Sequence, residues 1–284
     1  MATAVICEFN PFHNGHKYLL ESAKNVLKEP VIAIMSGSFT QRGEVAVCDK
    51  FVRAKSALEN GADLVLELPV VFSLSGAEGF AKAGVAIASA FDCTNHLAFG
   101  SESGDCELLK KSANAVCDER VQALVRDGMK NGGYYPRELE NAVKMVFGDE
   151  ISSVLCEPNN ILGVEYIKAL NGTGVEPFSV ARTGAAHDSR IAGEGFASAS
   201  HIREMLRNGE NAKKYAPYIP DEITFPENLD RPLLYRLRTM TREDIAKLPD
   251  VGEGLENRIA DAAVRCSTSS EIADLVKTKR YTHA

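Results

Sequence analysis

The sequence contains no closely spaced pair of cysteines and no long apolar segment. Its seven cysteines are an odd number and are scattered along the chain, which is typical of thiols that are kept reduced in the cytosol. No short Cys/His pair that would hold zinc is present, and no basic leader or apolar stretch indicates a secretory signal or a membrane span. We therefore expect a cytoplasmic protein without a zinc site and without a membrane partner.

The chain also lacks an excess of basic residues. Its 32 Lys and Arg are outnumbered by 39 Asp and Glu, so the net charge is −7. A negative net charge argues against nonspecific binding of polyanions. It is compatible with a local basic face, because the attraction of a polyanion depends on how the charge is distributed over the surface. Hydrophobic residues at 45% and charged residues at 25% are ordinary for a globular protein, and 284 residues suffice for one large domain or two modest ones. Repeats and low-complexity tracts are absent from the sequence.

Short apolar runs alternate with helical patterns along most of the sequence. We expect strands at Thr3–Cys7, Val31–Met35, Leu64–Leu68, His96–Phe99 and Phe178–Ala181. We expect helices at Gly15–Leu27, Lys50–Asn60, Ile161–Leu170 and Ser198–Arg207, and a mostly helical stretch from Asp105 to Phe147. This alternation predicts βαβ units, and hence a doubly wound α/β domain with a buried, parallel, five-stranded sheet. From about residue 208 the sequence changes to proline-rich turns and charged helices. We therefore expect a first domain at 1–207 and an appended helical domain at 208–284.

Three polar segments follow predicted strands: residues 8–16, 36–44 and 100–105. Ligands of doubly wound sheets bind beyond the carboxyl ends of the strands. We therefore expect these segments to meet at one rim and to form the functional site there.

The sharpest motif is Glu8-Phe9-Asn10-Pro11-Phe12-His13-Asn14-Gly15-His16, directly after the first predicted strand. A helix N-terminus presents unpaired N–H groups, which bind phosphate, and Gly15 allows the backbone to approach a ligand closely. His13 and His16 are three residues apart, so both can project from the first helical turn and donate hydrogen bonds to phosphate oxygens in a transition state. The alternative is that both histidines only cap or pack the turn.

The motif resembles that of the HxGH nucleotidyltransferase superfamily, whose members attack the α-phosphate of ATP and release pyrophosphate. Further blocks are similar to bacterial tRNA(Met) cytidine acetate ligases and occur in that family's order along essentially the whole chain. These blocks begin at Met35-Ser36-Gly37-Ser38, Glu59-Asn60-Gly61-Ala62-Asp63, Phe99-Gly100-Ser101-Glu102, Pro158-Asn159-Asn160, Arg182-Thr183-Gly184-Ala185-Ala186-His187-Asp188 and Ala197-Ser198-Ala199-Ser200-His201-Ile202-Arg203.

The resemblance implies an ATP-dependent ligase that activates acetate as acetyl-adenylate. It then transfers the acetyl group to N4 of the wobble cytidine of elongator tRNA(Met), forming N4-acetylcytidine. The resemblance also implies that His13 and His16 are catalytic. The remaining implied ATP-binding residues are Ile6, Cys7, Glu8, Phe9, Asn10, Pro11, Phe12, Asn14, Gly15, Lys17, Tyr18, Leu19, Gly100, Asn159, Arg182 and Ser198.

Several of these positions have a plain structural alternative. Ser198, Ser200 and Arg203 resemble a later phosphate-binding motif, but Ser198 and Ser200 could each be an N-cap only. Asn160 is better interpreted as a turn residue. The basic segment Gln41, Arg42, Lys50, Arg53 and Lys55 either forms a solvated helix face or contacts triphosphate or tRNA, with Arg42 the best candidate for contact. Asp63 and Glu67 are interpreted as structural. No dedicated carboxylate cage is visible, although Mg²⁺ is expected to accompany ATP.

The C-terminal region supplies the basic positions that a tRNA would need. They are Arg231, Arg236, Arg238, Arg242, Arg258, Lys277, Lys279 and Arg280. Acidic residues are interspersed, so solvated helices are an equal alternative. Family members continue beyond the segment from Lys277 to His283, whereas this chain stops at Ala284. Missing residues would lower tRNA affinity and leave ATP binding intact.

Two competing functions remain open from the sequence. One is a different HxGH adenylyltransferase that acts on a coenzyme precursor, which acetate-dependent pyrophosphate exchange would distinguish. The other is a noncatalytic, nucleotide-dependent RNA-binding module, although the presence of both His13 and His16 argues against a decayed site.

Overall fold

The structure, a computed structural model, describes residues 1–182 and 195–278. Its sheet has five parallel strands in the order β3-β2-β1-β4-β5. They are β1 Ala2–Cys7, β2 Val31–Ser36, β3 Leu64–Leu68, β4 Thr94–Ser101 and β5 Glu176–Ala181. The predicted doubly wound parallel sheet is therefore confirmed, and each expected strand is present.

The helices of the first unit cover both faces of this sheet. They are α1 Asn14–Leu27, α2 Lys50–Glu59, α3 Val70–Ser73, α4 Ala77–Ser89, α5 Cys106–Cys117, α6 Glu119–Lys130, α7 Tyr135–Phe147, α8 Asp149–Ser153, α9 Pro158–Leu170 and α10 Ala199–Arg207, with a 3₁₀ turn at Val154–Cys156. Helix α9 begins three residues before its predicted start because Pro158 occupies the first turn, where proline is favoured.

The two central strands explain why the sheet could be predicted. Every residue of β1 and β2 is buried, so both strands are continuous apolar runs rather than alternating ones. Successive side chains of β1 point to opposite faces: Ile6 joins the core beneath α4 and α9, whereas Val5 joins the core beneath α1. Helix α4 approaches β1 closely at Gly84, where an added Cβ would lie 2.5 Å from Cδ1 of Ile6.

The chain divides into two compact units, Met1–Ile223 and Thr224–Ala284. The second contains α11 Asp230–Thr239, α12 Arg242–Ile245, α13 Leu255–Arg265 and α14 Ser269–Val276, after a 3₁₀ turn at Pro226–Leu229. Its core is formed by Leu234, Ala262, Ala263, Cys266 and Ile272. The functional boundary predicted at 207/208 falls within the first unit, so residues 208–223 pack with the α/β unit.

None of the helices in the described ranges combines the length and apolarity that a bilayer crossing requires. Residues 183–188 of the block that begins at Arg182 lie outside the described residues, as do Lys279, Arg280 and His283.

Candidate active site

The loops at the carboxyl ends of the strands surround a cavity of about 310 Å³. Glu8 follows β1, Gln41 follows β2, Gly100 lies near the end of β4 and Arg182 follows β5, and all four line this cavity. The expected convergence at one rim is therefore confirmed. A cavity of this volume suits a small organic ligand.

Both histidines of the motif are oriented by backbone hydrogen bonds. His13 is the N-cap of α1, and its Nδ1 accepts a hydrogen bond from the Gly15 N–H at 3.0 Å. Nδ1 of His16 accepts from the His13 N–H at 3.3 Å, and the two rings are stacked with centroids 3.7 Å apart. In a neutral imidazole whose Nδ1 accepts, the proton is on Nε2. Each ring is therefore left with one Nε2–H donor.

The environment keeps these rings uncharged. Burial, with smaller contributions from the charges of Arg182 and Arg203, lowers the pKa of His13 to about 3. Burial also lowers the pKa of His16 well below its ordinary value, and His13 and Arg182 add to this effect. At neutral pH the site thus presents two neutral hydrogen-bond donors, which can stabilise negative charge without giving up a proton.

Gly15 is needed for the geometry of this turn. A Cβ at this position would lie 2.9 Å from Cε1 of His13, closer than real Cβ atoms approach another carbon. Any larger residue would displace the His13 ring, so the glycine serves the imidazole as well as the approach of a ligand.

The opposite side of the cavity is organised by Glu102. Its carboxylate accepts hydrogen bonds from Nδ2 of Asn159 at 2.5 Å and from the backbone N–H of Asn160 at 2.8 Å, at the start of α9. Oδ1 of Asn159 in turn accepts from Nη1 of Arg182 at 3.4 Å. These contacts orient an amide and a guanidinium toward the cavity, a pair suited to a nucleotide and its phosphates.

Asn160 has a structural role, as preferred from the sequence, but it lies within α9 rather than in a turn. The residue is 4% exposed, and its Oδ1 accepts from the Ser103 N–H at 3.0 Å. It thereby fixes the loop that follows β4.

Helix α10 brings a second cation to the cavity. Ser198 is its N-cap and accepts from the His201 N–H at 3.1 Å, which favours the capping alternative. Ser200 and Arg203 both line the cavity. Nη1 of Arg203 donates to the carbonyl of Asn10 at 2.8 Å, so α10 is fastened directly to the histidine turn.

The basic segment after β2 requires a correction at Arg53. This residue is 1% exposed, and its guanidinium donates to the carbonyls of Glu8, Ser36, Gly37 and Cys48. Arg53 therefore neither lies on a solvated helix face nor forms a phosphate contact. Its buried guanidinium instead joins the carboxyl ends of β1 and β2.

The other basic residues of this segment divide between the cavity and the surface. Gln41 and the exposed Arg42 line the cavity. Lys50 pairs with Glu67 at 2.6 Å, and Lys55 is a solvated residue near Glu59. The structural interpretation of Asp63 agrees with its ion pair to Lys24 at 2.8 Å.

Most residues expected at the nucleotide site do line the cavity. Beside both histidines these are Ile6, Cys7, Glu8, Phe9, Asn10, Gly15, Tyr18, Leu19, Gly100, Asn159 and Arg182. Five expected residues do not line it: Pro11, Phe12, Asn14, Lys17 and Ser198.

Three of these residues have contacts outside the cavity. Phe12 is 2% exposed and packs against Phe9, with ring centroids 4.9 Å apart. Nδ2 of Asn14 donates to the carbonyls of Gly195 and Lys214, and thus ties α1 to the segments around α10. Lys17 faces Glu21 on the surface of α1.

The apolar wall of the cavity could not be predicted from the sequence. Its residues come from α4, α9 and the strand ends: Ala77, Phe80, Phe99, Leu162, Tyr166 and Val180. Such residues have the same composition as the core, so only tertiary structure distinguishes them. Within the described ranges, no group of three His, Cys, Asp or Glu residues could hold a metal ion.

The parallel sheet, the start of α1 at the rim cavity and the paired neutral histidines define a nucleotidyltransferase-type site. A family model described as HIGH Nucleotidyl Transferase matches residues 1–284. A tRNA(Met) cytidine acetate ligase of Clostridium tetani is 36% identical over 307 residues, which cover 99% of this chain and 75% of the relative. The corresponding ligase of a Thermoanaerobacter species is 38% identical, covering 99% and 74%. The chain belongs to the tRNA(Met) cytidine acetate ligase family, within the HIGH nucleotidyltransferases.

Solved structures agree with this assignment. The apo crystal structure of Thermotoga maritima TmcAL superimposes with a TM-score of 0.90 at 33% identity, covering 100% of this chain and 73% of that one. The same protein bound with alpha-thio ATP gives a TM-score of 0.89, covering 100% and 72%.

Proposed function

We propose that this chain binds ATP in the rim cavity and uses it to activate acetate, then passes the acetyl group to N4 of the wobble cytidine of elongator tRNA(Met). The observation that carries the proposal is the pair of stacked imidazoles. Both have Nδ1 occupied by a backbone N–H, so the Nε2–H of each neutral ring is left to donate to a ligand in the cavity that both residues line. The names of the relatives and the nucleotide analogue bound by the neighbouring structure support the same activity.

In the first step an acetate oxygen attacks the α-phosphorus of ATP, and pyrophosphate leaves. The positive end of α1 and the two Nε2–H groups stabilise the charge that develops on the α-phosphate oxygens. Arg182 and Arg203 line the same cavity and would balance the charge of the leaving pyrophosphate. Positioning and charge stabilisation suffice for such a displacement, so no protein nucleophile is required.

Magnesium belongs to the proposal as a companion of ATP. Mg²⁺ is bound in such sites mainly by phosphate oxygens and water, with one or two carboxylates. Glu44 lines the cavity and would suffice as a single protein ligand. Bound Mg²⁺ would supply charge neutralisation at the phosphates.

The remaining functional assignments are proposals of the same kind. We place catalysis in residues 1–207 and contact with the tRNA in residues 208–284. The exposed Arg242 and Arg258 of the second unit are basic positions there, although both are engaged with neighbouring acceptors. Both the substrate tRNA and the unpaired cysteines suit a cytoplasmic protein.

The decisive experiment is incubation of the chain with ATP, labelled acetate and elongator tRNA(Met), followed by nucleoside mass analysis. We expect label in N4-acetylcytidine only when all three substrates are present. Initiator tRNA is the matched control and should remain unlabelled. Acetate-independent adenylation of another small acceptor would instead assign the chain to a different branch of the nucleotidyltransferases.

A further inference from the structure

Glu8 places a carboxylate in a cavity that is otherwise suited to bind phosphates. It follows β1 directly and lines the cavity together with His13 and His16. Its Oε1 accepts a hydrogen bond from the Gln41 N–H at 2.6 Å. Within residues 1–182 and 195–278, this is the one hydrogen bond that the Glu8 side chain makes, so Oε2 remains available to a ligand.

The position of this carboxylate is maintained by rigid neighbours. The Glu8 carbonyl accepts from Nη1 of the buried Arg53 at 2.6 Å. The next residue, Phe9, is fully buried and has a φ of 49°, an uncommon conformation for a non-glycine residue. Glu8 is thus held from both sides, as a group that acts on a ligand must be.

A carboxylate contributes nothing favourable to a triphosphate, because like charges repel. Burial raises the pKa of Glu8, while the Gln41 N–H and the charges of Arg203, Arg42 and Arg53 lower it in part. A partly buried carboxylate with a raised pKa is a better proton acceptor than an exposed one.

On the basis of the proposed function, we propose that Glu8 is the catalytic base of the second half-reaction, the transfer of acetyl from the adenylate to cytidine. The N4 lone pair attacks the acetyl carbonyl carbon, and the new C–N bond forms. The C–O bond to the adenylate phosphate breaks, and its electron pair leaves with AMP. The N4 proton passes to Oε2 of Glu8 and is released to solvent afterwards. No oxidant or further reactant is needed.

The other described residues that line the cavity are less suited to accept this proton. His13 and His16 have Nδ1 engaged by backbone donors and Nε2 protonated. Burial raises the pKa of Tyr166 well above its ordinary value, and Cys7 and Glu8 add to the shift, so its hydroxyl keeps its proton. The carboxylate of Glu44 is 43% exposed and lies 3.9 Å from Nη2 of Arg203, so it is already paired with a cation.

The test is the variant Glu8→Gln, which keeps the side-chain length and an oxygen for the Gln41 N–H but removes the base. Two rates are measured: acetate-dependent ATP–pyrophosphate exchange, and single-turnover acetyl transfer from preformed acetyl-adenylate to elongator tRNA(Met). We expect transfer to fall about 100- to 10,000-fold, the usual contribution of a general base, and exchange to fall at least about tenfold less than transfer, because Glu8 also lines the nucleotide cavity. Glu67→Gln, at an exposed carboxylate outside the cavity, is the matched control and should leave both rates unchanged.

A pH profile of the transfer step gives a second readout. In the wild-type protein the rate should rise with pH as Glu8 loses its proton, and this rise should be absent in Glu8→Gln. Glu8→Asp, which retains a carboxylate, should recover part of the transfer rate. Unchanged transfer in Glu8→Gln, or an equal loss of exchange and transfer, would overturn the assignment of Glu8 as the base. Wild-type protein without acetate-dependent exchange would overturn the proposed function first, and this inference with it.

Discussion

Replacing His16 with asparagine tests whether the Nε2–H of this ring stabilises the transition state. Nδ1 of His16 accepts from the His13 N–H at 3.3 Å, and the asparagine Oδ1 can take over that acceptor role. The variant therefore keeps the start of α1 intact and removes only the donor that points into the cavity. His16→Gln, whose longer amide reaches the position of Nε2, should retain more activity than His16→Asn.

The expected loss follows from the number of donors. Each imidazole supplies one Nε2–H, and removing one such donor from a preorganised site costs about 2.7–4 kcal/mol in the transition state. We therefore expect acetate-dependent ATP–pyrophosphate exchange to fall about 100- to 1,000-fold. Because Arg182 and Arg203 line the cavity and would also bind ground-state ATP, its dissociation constant should change only a few-fold.

The assay is isotope exchange at saturating acetate, with nucleotide affinity measured separately by calorimetry. His96→Asn is the control, because His96 lies near the start of β4, where Nδ1 meets Glu29 at 3.0 Å. That variant should exchange at the wild-type rate. An undiminished exchange rate in His16→Asn, or an equal loss of exchange and ATP affinity, would refute the argument that the neutral imidazole acts on the transition state.

Three further predictions concern pH and packing. The pKa of His13 is lowered to about 3 in the folded state, below its ordinary value of 6.5, so its contribution to stability is present above pH 6.5 and is lost as the pH falls below 6.5 toward 3. In urea unfolding, the stability lost between pH 7 and pH 5 should therefore be about 2 kcal/mol smaller in His13→Asn than in the wild type, because the lowered pKa of His16 contributes to the loss in both proteins. Arg53→Met leaves several buried carbonyls unpaired and should lower the free energy of unfolding by about 3–5 kcal/mol. Lys55→Met on the same helix should leave the free energy of unfolding nearly unchanged. Equal effects of the two substitutions would contradict the bridging role of Arg53. Gly84→Ala would bring a methyl group 2.5 Å from the Ile6 side chain. It should therefore lower the free energy of unfolding by about 1–3 kcal/mol and the melting temperature by several degrees. Gly76→Ala, whose added methyl group would have nothing within 4 Å, should leave the melting temperature unchanged.

The sheet could be predicted because β1 and β2 are buried throughout and almost entirely apolar, and because helical patterns separate the strands. Strand β4 was the hardest to recognise, since its run from Thr94 includes Asn95 and His96, and both are half-buried. The polar residues of the cavity could also be predicted from the sequence, because the loops after parallel strands converge and the motif residues lie in those loops.

Two features could not be predicted, for physical reasons. The apolar wall that includes Phe80 and Tyr166 uses residues that are indistinguishable from the core until the helices are packed. The burial of Arg53 could not be predicted, because isolated arginines are rarely fully buried. Its burial depends on carbonyls of two separate strand ends, a convergence that only the tertiary fold creates.

The most direct test of the central claim is a crystal structure of this protein with a nonhydrolysable ATP analogue. We predict α-phosphate oxygens within about 2.7–3.2 Å of Nε2 of His13 and His16, with the phosphates over the start of α1. A nucleotide bound away from the rim cavity, or phosphates that contact neither imidazole, would contradict the account.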